Sequence, residues 1–135
     1  MSLPTFSGID HFHLYVDDKQ QALQWYETVL GFKTVDKLQL WNVEAGPLTI
    51  EDEAGSVHLA LFKRTRQPLT TSIAFKSSGA NFIRWCKHLK QQGLDLRIAD
   101  HQVAWSMYFR DPFDNMHEIT TDEYEYVQGR AELLN

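Results

Sequence analysis

The chain has 135 residues, 43% hydrophobic and 23% charged, with a formal net charge of −5. That is the make-up of a soluble globular protein, long enough for one domain with a real core or for two small halves sharing one. No stripe of Lys and Arg is present, which argues against nucleic acid as a partner, and no apolar run nears the ~20 residues that span a bilayer. A single cysteine, Cys86, excludes an internal disulfide; the stretch from Met1 to Phe6 lacks the basic and apolar parts of a signal peptide, so a cytoplasmic location is expected.

Residues 9–16 alternate in the manner of a strand, with Phe12, Leu14 and Val16 on one face and His11, His13 and Tyr15 on the other. Asp17 and Asp18 are N-cap residues for a helix over 19–30, which sets Ala22, Leu23, Tyr26, Val29 and Leu30 on one side and stops at Gly31. Strands are expected near 38–43, 47–51 and 57–62, with turns at Gly46-Pro47 and Ala54-Gly55. Residues 64–69, which include Pro68, read as a linker. The second unit opens with a strand at Thr70. Ser77 and Ser78 then cap a helix carrying Phe82, Ile83, Cys86 and Leu89, which ends at Gly93. Further strands are expected near 95–98, 104–110 and 115–120, with a turn over 111–115, and the tail 122–135 has a helical composition.

Each half therefore reads strand, helix, three strands. The spacing repeats as well: 61 residues separate His11 from Ser72, 62 separate Gly31 from Gly93, and 60 separate His58 from Glu118. A duplicated unit related by a pseudo-two-fold axis would bring His11, His58, Ser72 and Glu118 to one place. Two imidazoles and a carboxylate form a ligand set for a divalent metal with open coordination sites. The face opposite the helices carries His11, His13, Tyr15, His58, Phe62, Ser72 and Glu118. Such groups are costly to bury without partners, so this face should line a cavity, with Phe62, Tyr15 and Trp41 or Trp105 as aromatic walls. His13, with a reference pKa near neutrality, is a candidate acid or base. His117 points to the helix side and reads as structural; Cys86 reads as a small buried hydrophobe.

Three stretches resemble the vicinal oxygen chelate superfamily, the group of glyoxalase I, fosfomycin- and bleomycin-resistance proteins and extradiol dioxygenases. They are His11 to Val16 followed by Trp25 to Phe32, then Gly55 to Phe62, and finally Tyr108 to Ile119, with its Asp111-Pro112-Phe113-Asp114-Asn115 run before Glu118. The resemblance implies an α+β domain over the whole chain. Its βαβββ modules span 8–63 and 70–121 and form a curved eight-stranded mixed sheet around a cavity, with a helical tail after them. It implies metal ligands at His11, His58 and Glu118, with Ser72 standing where resistance proteins and dioxygenases of this group place a histidine. The expected cofactor is a divalent ion, Fe, Mn, Ni or Zn, and the expected assembly a homodimer. The expected function is metal-dependent lyase, isomerase or dioxygenase chemistry on a small substrate held through vicinal oxygens. Here His13 and Glu118 would be catalytic, and Tyr15, Phe62, Ser72 and Trp105 would bind substrate. The alternative is a metal-free binding protein of the bleomycin-resistance type, holding a small aromatic or drug-like molecule.

Overall fold

The computed structural model describes residues 11–64 and 72–135. Ile9, Asp10, the linker after Arg64 and the first residues of the second repeat lie outside them. The chain divides into two compact units, Met1–Pro68 and Leu69–Asn135.

In the first unit, β1 (Phe12–Val16) leads into α1 (Lys19–Leu30), then β2 (Lys33–Thr34), a 3-10 helix (Asp36–Trp41), β3 (Leu48–Glu51) and β4 (His58–Lys63). The four strands form one sheet in the order β1-β4-β3-β2, with β1 and β4 parallel and the other pairs antiparallel. A parallel β1–β4 pair needs a long crossover, and α1 with β2 and β3 supplies it. Asp18 caps α1 by accepting the Gln21 N–H at 2.8 Å, and Gly31 closes it with φ +75°. The apolar face of the sheet (Leu14, Val16, Leu48, Ile50, Leu59, Leu61) is buried, together with Ala22, Tyr26, Val29 and Leu30 of α1. Alternation thus sends His11, His13 and Tyr15 outward while their neighbours pack inward.

The strand expected near 38–43 is not there. The chain pairs only at Lys33 and Thr34, opposite Glu51 and Ile50, and then winds into the 3-10 helix at 36–41. The apolar residues that imitate a strand, Leu40, Trp41 and Val43, are 72%, 51% and 60% exposed, so no sheet face receives them. The segment is held instead by Lys19, whose ammonium donates to the carbonyls of Val43 and Gly46.

The second unit repeats the plan with β5 (Ser72–Lys76), α2 (Gly79–Gln91), β6 (Arg97–Asp100), β7 (Trp105–Arg110) and β8 (Met116–Thr121), followed by α3 (Tyr124–Gln128) and a 3-10 turn (Ala131–Leu134). Its sheet order is β5-β8-β7-β6, with β5 and β8 parallel. Ser78 caps α2 by accepting the Asn81 N–H at 3.1 Å, and Phe82, Cys86 and Leu89 face the core. The tail is tied to α2: Lys90 donates to the Leu134 carbonyl, and the Gly79 N–H donates to Glu123 at 2.7 Å. Among the described residues no helix is long and apolar enough to cross a membrane.

Candidate metal and substrate site

Strand register organises the polar face of the first sheet into rows. Phe12 stands opposite Leu59 and Glu51 opposite His58, so the row at one end runs from His11, just ahead of β1, through His58 to Glu51. The next rows are His13, Ala60 and Thr49, then Tyr15 and Phe62. This face is the floor of a hollow of about 1000 Å³, with Trp41 of the 3-10 helix on its wall.

Within it the imidazoles of His11 and His13 are stacked, ring centroids 4.9 Å apart, with their Nε2 atoms 2.9 Å from each other. One nitrogen of that pair must carry the proton and the other accept it. His13 also lies 4.8 Å from the ring of Phe62, which in turn stands 6.1 Å from that of Tyr15. His58 Nε2 is 3.0 Å from Glu51 Oε2, in a pair that is 31% and 22% exposed. The register therefore unites His11, His13, His58 and Phe62 on one floor and adds Glu51, which the sequence reading did not single out.

The β3–β4 turn holds Glu51 in place. Asp52 accepts from the N–H groups of Ser56 and Val57 at 2.7 and 3.0 Å and from the Ser56 hydroxyl at 2.9 Å. Burial pushes the Asp52 carboxyl up, but these bonds outweigh it and hold it below the ordinary carboxylate range. Gly55, with φ +72°, sits against the Glu51 carboxylate in the same turn.

In the second unit Glu118 lies on the polar face of β8, in a row with Ala74 on β5, Tyr108 on β7 and Arg97 on β6. The Ser106 hydroxyl donates to Glu118 Oε2 at 2.8 Å, so one carboxylate oxygen is held by the protein. Tyr108 carries its hydroxyl 2.9 Å from His101 Nε2 and its ring 4.1 Å beneath the Arg97 guanidinium. Sequence reading passed over Tyr108, because only the β7–β8 register reveals it as the cross-strand neighbour of Glu118. Ser72 pairs through its backbone with Met116, two residues along β8 from that row. Trp105 is not on the face of Glu118. It alternates with Ser106 and Tyr108, and its ring stacks on Tyr124 of α3 with centroids 6.1 Å apart.

Among the described residues no three His, Cys, Asp or Glu side chains are gathered ready to grip a metal ion. The donor types on each unit are nevertheless ones that divalent ions take: the imidazoles of His11, His13 and His58 share the floor in the first, and in the second a hydroxyl fixes one oxygen of the Glu118 carboxylate.

Comparison with known proteins agrees with this architecture. A curated relative, biphenyl-2,3-diol 1,2-dioxygenase 3 of Rhodococcus globerulus, is 28% identical over 93% of this chain and 68% of its own. An integron cassette protein from the mobile metagenome of the Halifax Harbour sewage outfall superposes with a TM-score of 0.75 at 18% identity, covering 86% of this chain and 99% of that one. Lactoylglutathione lyase from Agrobacterium tumefaciens does so with a TM-score of 0.72 at 19% identity, covering 87% and 96%. Both structural likenesses speak for the fold alone. Residues 8–119 match the description of one family throughout, and the chain belongs to the Glyoxalase/Bleomycin resistance protein/Dioxygenase superfamily.

Proposed function

We propose that this protein is a metal-dependent enzyme that holds a small substrate through two adjacent oxygens, with His11, His58 and Glu118 as metal ligands. The observation that carries the reading is the row formed by β1, β4 and β3, which sets His11 level with His58 on the floor of a hollow large enough for a small molecule. The name of the dioxygenase relative, whose diol substrate carries adjacent oxygens, supports the same class. Neutral imidazole is a ligand of borderline character and carboxylate a hard one, a combination suited to Fe, Mn, Ni or Zn.

A bound divalent ion supplies Lewis acidity, stabilising negative charge as it develops on a substrate oxygen. The remaining work falls to the chain. His13 is the proton carrier: in the tautomer in which its Nε2 accepts from the His11 Nε2–H, the same lone pair can instead take a proton from substrate, with the His11 N–H left on His11. Phe62 and Tyr15 offer apolar ring surface beside it. By family resemblance the working form is a cytosolic homodimer.

A second reading, a metal-free binder of an aromatic molecule, draws on the stacked His11, His13 and Phe62 rings. Thermal melting separates the two. Ions that bind only the folded state stabilise it by RT ln(1 + [L]/Kd), about 2.7 kcal/mol at a hundredfold excess over Kd. Mn²⁺, Fe²⁺, Ni²⁺ or Zn²⁺ should raise the melting temperature of the chelator-stripped protein, and His11→Ala or Glu118→Ala should each abolish the rise. No rise in the parent, with a rise on adding a planar aromatic ligand, would establish the binder instead.

A further inference from the structure

We propose that Glu51 is a positioning residue for His58: it fixes the ring proton on Nε2 and thereby presents Nδ1 as the nitrogen available to a ligand in the hollow. This inference rests on the assignment of His58 as a metal ligand, and extends it to a residue outside the ligand set.

The chemistry of the pair dictates the direction. An ionised carboxylate only accepts hydrogen bonds, so the imidazole nitrogen 3.0 Å from Glu51 Oε2 has to be the one that carries hydrogen. In the His11–His13 pair, by contrast, both partners are imidazoles and either can donate. The contact is also built into the fold. Glu51 and His58 are directly opposed across the antiparallel β3–β4 pair, at the point where the two strands leave the sheet for their turn. That turn is short and fastened by Asp52, which takes hydrogen bonds from Ser56 and Val57, so the last residue of β3 and the first of β4 are held at one separation. The side chains are 31% and 22% exposed, sheltered enough for the bond to compete with water. A carboxylate behind a ligating imidazole selects the tautomer, restrains the ring and makes the coordinating nitrogen more basic.

The test uses the full chain, ¹⁵N-labelled in histidine and free of metal, at alkaline pH where imidazole is neutral. Long-range ¹H–¹⁵N spectra report which ring nitrogen of each histidine is protonated; His58→Asn identifies the His58 signals. The parent should show His58 as a single tautomer protonated at Nε2. Glu51→Ala should give averaged ring nitrogens like those of free imidazole, and Glu51→Gln, which keeps a carbonyl acceptor in the same place, should restore most of the parental pattern. Zn²⁺ affinity measured by competition with a chromophoric chelator should fall about 10- to 100-fold in Glu51→Ala and much less in Glu51→Gln. Ring nitrogens in Glu51→Ala identical to the parent's, or a parental His58 protonated at Nδ1, would overturn the proposal. A parent that binds no Zn²⁺ but shows the tautomer shift would instead overturn the ligand assignment of His58 and leave its pairing with Glu51 intact.

Discussion

His117 is a histidine that the fold wants neutral. It is fully buried on the core side of β8, with the rings of Phe75 and Phe109 each 5.7 Å away. Burial lowers its pKa from the ordinary 6.5 to about 4, against the opposing pull of the Asp111 carboxylate. The unfolded chain takes up a proton below 6.5 while the folded chain resists until about 4. The stability that goes with a neutral His117 is therefore full above pH 6.5, declines as the pH falls, and is gone below about 4; its size is roughly 3 kcal/mol. Melting temperatures of the parent should drop across that window, and those of His117→Gln should drop much less, whatever the variant's absolute stability. Equal slopes would show that His117 is not the group responsible. The structural role of His117 was readable from alternation alone, because a strand residue flanked by polar-face neighbours must face the other way. The partner of His58 was not. Glu51 lies seven positions earlier, and only the register of β3 against β4 decides that the two meet.

At the scale of the elements, the helix ends were the most legible parts of the chain, since each is written in a few adjacent residues. Asp18 and Ser78 cap the helices through hydrogen bonds to backbone N–H groups three positions on. Gly31 takes φ +75° to end α1, with open space where a Cβ would go. Gly31→Ala should then cost about 1 kcal/mol, from backbone conformation alone, and Gly31→Asn less, since Asn tolerates the left-handed region. Denaturant midpoints check this; a neutral Ala variant would mean the helix end readjusts. The 3-10 helix at 36–41 was illegible for the opposite reason. Leu38, Leu40, Trp41 and Val43 supply enough apolar residues to suggest a strand, but strand formation needs a partner. β3 has four residues, of which Glu51 and Ile50 pair with β2. Whether a neighbour is long enough to receive a strand is a tertiary fact that local alternation does not contain.

On the scale of the whole chain, the duplication was visible in the sequence and is visible in the topology, where the orders β1-β4-β3-β2 and β5-β8-β7-β6 are the same plan used twice. His58 and Glu118 fall on equivalent strands, β4 and β8, of their own sheets, but the register does not match them rung for rung: with Ser72 as the counterpart of His11, Met116 is the counterpart of His58, and Glu118 that of Ala60. A duplicated scaffold makes a specific thermodynamic demand if its halves supply one ion with ligands. Removing a ligand from either half should damage the same binding event, so the second removal should matter far less than the first. We expect His58→Ala and Glu118→Ala each to weaken Zn²⁺ binding strongly. The double variant should then bind little worse than either single one, with a coupling energy beyond the ~0.3–0.5 kcal/mol within which independent sites add. Competition titrations on the parent, the two single variants and the double variant complete the cycle. Additive losses would mean that the two residues act on separate ions, one in each unit. Because the cycle compares differences between folded proteins, a general loss of stability in one variant does not imitate coupling, provided each retains the parent's circular dichroism.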